Sequence, residues 1–470
     1  MQEENMMSMR IKKRNINTYI VCTFTILSLF LSACNGTSEG TSGDSSGKKQ
    51  IVLATMTQNR FLDFAKEKYE ALHPDIEIVY KVYQELDIRE TGNNMAQISM
   101  PTKEDQEKYI STINTEMMSG AGPDILDTTE LPVDKYKEKN MLANLYDMMD
   151  QDQDFNKNEY FQNIWKSTEL DGGLYTFPVN FLLEMLNAND ELLKQGGVQL
   201  QEPLSWDDIL TATEQVRQVV GNDVSAISES SPEDLASELV SLYYSQLVDS
   251  KNKKAYFDSD DSRRLILKVK EIFDRGFAGA GMSDIQTDIQ SMEDFTEKMK
   301  LTIFSPSYIS DPTSFALSGT LYSQPSFDGK NEELAFRTLL NLGLNANSAM
   351  KQEAWDFLKF LVSEEMQQAP ARIGLPINKQ VYNEMFDRML DDVKKNGSVT
   401  TPRGEEPVSV TPEQLESMRP LAEKANQKSS GDPKILDIFR TEIAPYFAGQ
   451  KSLDDVLRII QSKVTTYLNE

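Results

Sequence analysis

Two cysteines and a single histidine narrow what this 470-residue chain can do by side-chain chemistry. Cys34 follows Leu31-Ser32-Ala33, small residues directly ahead of a thiol at the end of an apolar run. His73 stands alone, which speaks against imidazole-based catalysis and multi-histidine metal sites. There is no G-x-S-x-G elbow and no phosphate-cradling glycine loop. Acidic residues number 74, so some carboxylate pair will always suggest glycoside hydrolysis, but none stands in a recognisable motif. Asp258-Ser259-Asp260-Asp261 has the look of a calcium-loop fragment. A periodic apolar run at Leu265, Ile266, Val269, Ile272 and Phe273 follows it, which predicts a capped helix start instead. The expectation is a non-enzyme with no cofactor and no metal.

The elements around Cys34 have a fixed order. Arg10, Lys12, Lys13 and Arg14 form a basic stretch, and residues 19–31 are apolar apart from Cys22, Thr23, Thr25 and Ser28. Such a run is shorter than the roughly 20 residues that cross a bilayer as a permanent helix, and reads as a cleavable signal over residues 1–33. Leu31-Ser32-Ala33-Cys34 resembles the lipobox of bacterial lipoproteins, which implies lipidation at Cys34. Residues 34–49 are rich in Gly, Ser and Thr and read as a flexible tether. This order predicts a lipid-anchored protein on the extracytoplasmic face of a cell membrane, as in a Gram-positive bacterium.

Composition then bounds the rest. The formal net charge is −26, and the signal's four basic and two acidic residues leave −28 on the remainder. That acidity excludes nucleic acid as a partner, because phosphate contacts need Lys and Arg. With Cys22 removed and Cys34 acylated no disulfide forms, so the exported fold stands on packing, which a chain this long can supply.

Past the tether, strand and helix alternate. Ile51-Val52-Leu53-Ala54-Thr55 reads as a strand, Phe61 to Leu72 has helical spacing, and His73-Pro74 stops it. Ile76 to Tyr80 reads as a second strand, residues 84–106 as a polar surface insertion, and a helix resumes at Tyr109. Gly120-Ala121-Gly122-Pro123 ends that helix ahead of a strand at Asp124-Ile125-Leu126. This is an α/β lobe with a mostly parallel sheet, whose ligands lie beyond the carboxyl ends of the strands. Thr57-Gln58-Asn59 and Asp127-Thr128 occupy those places. Ser205-Trp206-Asp207-Asp208 reads as a helix cap, and Trp206 and Trp355 as packing residues.

Several fragments, in order, carry a resemblance. Met117-Met118-Ser119-Gly120-Ala121-Gly122-Pro123-Asp124-Ile125, Asp171-Gly172-Gly173-Leu174-Tyr175-Thr176-Phe177-Pro178, Pro203-Leu204-Ser205-Trp206-Asp207-Asp208, Ala354-Trp355-Asp356-Phe357-Leu358-Lys359-Phe360-Leu361 and Gly374-Leu375-Pro376-Ile377-Asn378 are similar to signatures of bacterial extracellular solute-binding proteins, the receptors of ABC importers, in their sugar-binding, maltose-binding-protein-like branch. The resemblance implies a two-lobed, type II periplasmic-binding-protein-like fold, each lobe a mixed, mostly parallel sheet flanked by helices. It puts residues 50–178 and 307–362 in the N-terminal lobe and 179–306 and 363–470 in the C-terminal lobe, joined by hinge segments. It further implies a monomer that takes a sugar or oligosaccharide to ABC permease subunits. The first crossing places Asn180 and Phe181 at the cleft, and the second offers Tyr308 as the aromatic that stacks on a sugar ring, with core packing the other reading of that residue. The residues leave two other readings open: a sensor on the same fold serving a membrane signalling partner, and a surface carbohydrate-active enzyme.

Overall fold

The computed structural model describes residues 47–84, 88–91, 95–98, 101–229, 231–279, 281, 296–316, 318–326, 333–399, 408–429 and 431–470. Cys34, the signal and most of the tether lie outside the described residues. The first lobe is built from β1 (Lys49–Thr57), α1 (Arg60–Leu72), β2 (Ile76–Gln84), α2 (Lys103–Ser119) and β3 (Ile125–Asp127). β1 lies between β2 and β3 and is parallel to both. Its continuous apolar run has a physical reason. Ile51 and Leu53 pack into the main core of the lobe, while Ala54 joins Tyr109, Ile113 and Leu126 in a second cluster. A parallel strand covered on both faces has no polar side to show.

α2 begins at Lys103, six residues before the expected start. A reciprocal capping box between Thr102 and Asp105 opens it, and its first turn is polar. Apolar periodicity cannot report a turn that has no apolar residue, whereas the cap can. Within the expected insertion, Ile88–Thr91 and Met95–Ile98 pair as an antiparallel hairpin.

The chain then runs through β4 (Phe177–Ala188), α3 (Trp206–Val220), β5 (Ser225–Ser228), α4 (Pro232–Leu242), α5 (Asp260–Asp274), β6 (Ala278–Gly279), β7 (Thr302–Ile309) and β8 (Thr320–Tyr322). β9 (Leu334–Leu344), α6 (Lys351–Leu361), β10 (Leu375–Pro376), α7 (Lys379–Asn396), β11 (Ala425–Lys428), α8 (Pro433–Phe447) and α9 (Leu453–Asn469) complete it. Among the described residues one mixed sheet runs β6-β5-β7-β4-β9-β3-β1-β2, with β8 and β10 also on β4 and β11 on β9. β4 is its spine: its first half pairs with β9 and its second with β7, both antiparallel.

Two large cores divide the molecule into two lobes. The first gathers residues from Ile51 to Met185 and the second from Leu186 to Phe277. Packing passes from the first core to the second between Met185 and Leu186, within β4. β4 stays buried along nearly its whole length and simply changes pairing partner. Ile303 and Phe304 belong to the second core and Ile309 to the first. Met366, Ile377, Tyr382, Phe386 and Ala425 pack in the first core, and the buried apolar residues from Ile435 to Val464 in the second. Tyr382 of α7 meets Phe161 edge-on at 5.1 Å, which ties α7 to the first core.

Candidate functional site: a cavity between the lobes

A cavity of about 900 Å³ lies between the two lobes. Its floor is β9, through Arg337, Thr338 and Asn341. One wall carries Thr128, Thr129 and Thr176 with the short helix Val133–Glu138, and the other carries Ser241, Tyr244, Tyr256, Lys428, Ser429, Gly431 and Asp432. Thr338 and Asn341 are three positions apart, and strict alternation would turn them to opposite faces of a strand. The register of β9 against β4 shifts on either side of Leu340, which brings both to the cavity. Asn180 holds that irregularity in place. Its Oδ1 accepts the Leu340 N–H at 3.1 Å, and its Nδ2 donates to the Ile373 carbonyl at 2.7 Å.

The expected ligand residues are thus distributed unevenly. Thr128 lines the cavity; it is buried, shares a 2.8 Å hydrogen bond with Thr176, and its hydroxyl donates to the Asn341 carbonyl at 3.1 Å. Asp127, half-buried beside it, accepts from the Thr129 N–H at 3.0 Å and hydroxyl at 2.6 Å. Thr57, Gln58 and Asn59 lie elsewhere. Asn59 caps α1 by accepting from Phe61 and Leu62, Gln58 donates to Asp63, and the Thr57 carbonyl accepts from Thr55. Phe181 is fully buried in the first core, edge-on to Phe161 at 5.7 Å. Asn180 shapes the floor from behind.

Tyr308 is 45% exposed, so it is no core residue, but it borders a different space. That annex, of about 50 Å³, is lined by Glu184, Trp206 and Glu238 as well, and meets the main cavity at Arg337 and Ser429. Arg337 pairs with buried Glu184 at 2.7 Å and lies 5.7 Å from the Tyr308 ring. Burial, then Glu229, pushes Glu238 up to about 7, and burial pushes the Tyr308 phenol up to about 12.

Residues that sequence reasoning missed supply much of the cavity's chemistry. Asn341 donates weakly to Thr129 at 3.5 Å, while its buried Oδ1 has no hydrogen-bond partner. Tyr244 presents a ring held against Gly431; a Cβ there would come within 2.6 Å of it, so the close approach requires glycine. Lys428 and Asp432 stand in no motif or spacing that would mark them as site residues in the sequence. Burial holds the Lys428 ammonium down at about 8 and lifts the Asp134, Asp432 and Glu130 carboxyls above their ordinary range. Asp127 is pushed up to about 6 by burial, against the two Thr129 hydrogen bonds. Among the described residues no cluster of His, Cys, Asp and Glu is arranged to hold a metal ion.

The lobes also touch at the rim. Lys253 pairs with Glu138 at 3.1 Å, Lys251 with Asp171 at 3.3 Å and Lys103 with Asp437 at 2.6 Å. Lys135 donates to the Tyr467 carbonyl at 3.0 Å and lies 3.7 Å from that ring.

Comparison with known proteins bears on this geometry. Residues 89–401 match the model of a family described as bacterial extracellular solute-binding protein. A search of curated proteins gives no match. Among solved structures, the sugar-binding protein MalE of Xanthomonas citri superposes with a TM-score of 0.61 at 15% identity, over 90% of this chain and 98% of that one. A periplasmic oligogalacturonide-binding protein of Yersinia enterocolitica gives 0.58 at 15% identity, over 90% and 99%. An ABC substrate-binding protein of Listeria monocytogenes, in complex with cycloalternan, gives 0.57 at 15% identity over the same shares. At such identities these likenesses speak for the fold alone.

Proposed function

We propose, from the premise that this chain belongs to the bacterial extracellular solute-binding family, that it is the receptor of an ABC importer and captures a sugar or oligosaccharide between its lobes. The observation that carries the reading is the interlobe cavity with hydroxyl-bearing walls and an unpartnered Asn341 Oδ1 at its floor. Its volume sits near the top of the roughly 300–1,000 Å³ range of small-molecule sites. Neutral Thr, Ser and Asn groups suit a hydroxyl-rich solute, and the Tyr244 and Tyr256 rings offer flat faces to a pyranose. Thr128 is then a ligand contact, and Tyr244 takes the stacking role that family resemblance had given to Tyr308. No bond chemistry is required. The loaded, closed form binds the permease better than the open form does, since a ligand shifts an equilibrium only through differential affinity.

Lipid attachment at Cys34 completes the proposal, and it rests on the Leu31-Ser32-Ala33-Cys34 sequence. A carbohydrate panel tested by thermal shift is the decisive experiment. A true ligand at a hundredfold excess over its dissociation constant should stabilise the protein by about 2.7 kcal/mol; silence across the panel sinks the sugar reading.

A further inference from the structure

Four cations line the cavity, and three of them touch a carboxylate. Lys137 and Lys251 both meet Asp171, and Arg337 meets Glu184. Lys428 is the exception: among the described residues no carboxylate comes within ion-pair distance of it. Its backbone is pinned, since β11 pairs with β9 at Phe336 and the Ser429 N–H donates to the Phe336 carbonyl at 2.8 Å. The side chain therefore cannot leave with a mobile loop. Taking an ammonium partly out of water without a contacting partner costs stability, and packing alone offers no return for it.

We infer that the solute carries an anionic group, a carboxylate as in a uronic acid, that seats on Lys428. The inference rests on the sugar-receptor reading and narrows it to one chemical class. Besides the four cations, the cavity lining carries seven carboxylates, of which Asp134 on the helix Val133–Glu138 acts on Lys428, and the phenols of Tyr244 and Tyr256. Arg337 is already ion-paired with Glu184 at 2.7 Å, with its guanidinium half-exposed. Asp134 acts on Lys428 only through space, and burial disfavours the ionised form of both Asp134 and Asp432. The protein as a whole is acidic, so no general attraction for anions is at work. What the cavity offers is one local positive point, with Asn341 Oδ1 free to accept from a hydroxyl of the same sugar.

The experiment is calorimetric titration of the purified protein at pH 7 with galacturonate, glucuronate and mannuronate trisaccharides, their neutral counterparts, and a sulfated trisaccharide. A uronate should bind, and Lys428→Met should weaken it at least about tenfold, the scale of a lost charge-assisted hydrogen bond, with Lys428→Arg recovering most of the affinity. Wild-type affinity should fall between pH 7 and 9 as the ammonium loses its proton. Unliganded Lys428→Met should melt no lower than wild type, because it replaces an unpaired charge with an apolar chain of similar length. Neutral sugars bound alike by wild type and Lys428→Met, with uronates refused, overturn the inference and leave the sugar reading intact. Preference for the sulfated sugar overturns the carboxylate assignment. A lower melting point for Lys428→Met gives the lysine to the fold and overturns it too, while silence on every sugar removes both readings together.

Discussion

β1 and β3 are neighbouring parallel strands, and the chain leaves each through three polar residues. Thr57-Gln58-Asn59 and Asp127-Thr128-Thr129 look interchangeable in sequence, yet only Thr128 and Thr129 reach the cavity. The element next along the chain makes the difference. α1 starts at Arg60, immediately after Asn59, so the side-chain oxygen there satisfies the exposed amides of the helix's first turn. After β3 the chain makes no helix until Val133. Asp127 folds onto Thr129 instead, and Thr128 is free to bond Thr176 and β9 across the floor. Polar residues beyond a parallel strand are available to a ligand only when no adjoining helix needs them.

The sharpest way to break this contrast is Thr128→Val. It keeps shape and removes the hydroxyl that ties two parts of the floor together, so affinity for the solute should fall about tenfold, near the upper range for one hydrogen bond; titration calorimetry that finds unchanged affinity would remove Thr128 from the site. Asn59→Ala should do the opposite. Loss of the cap should cost about 1 kcal/mol of stability in urea denaturation and leave affinity where it was. Asp127→Asn gives the smallest effect and tests the β3 end by pH. The carboxyl's folded pKa of about 6 lies above its ordinary value, so the folded state holds the extra proton. Wild type should match the variant below about pH 4 and lose stability relative to it as pH rises through about 6. Parallel stability curves across that window would contradict the burial of Asp127.

Much of the fold could be read from local patterns. The apolar run of β1, the periodicity of α1, the Ser205–Asp208 capping box and the helix start at Ser259 all arise from interactions within a few residues. Trp206 and Trp355 are buried, as their helix positions predict. The cavity was far less legible. Asn341 faces it only because β9 shifts register, and Lys428 reaches it only because β11 adds to β9 from about ninety residues away. Asn180 was placed near the cleft by resemblance, but its amide serves the backbone of β9 and of Ile373. Such roles depend on which strands meet, and spacing along the chain does not record that.

The rim pairs carry a consequence for the fluid around the molecule. Lys253–Glu138, Lys251–Asp171 and Lys103–Asp437 are solvent-facing contacts between the lobes, each worth no more than about 1 kcal/mol and progressively screened as ionic strength rises. Dissolved salt thereby enters the closing equilibrium as a variable in its own right. If closing on a solute makes these pairs, as the proposed function has it, the same solute at the same concentration loads the protein more fully at low ionic strength than at high.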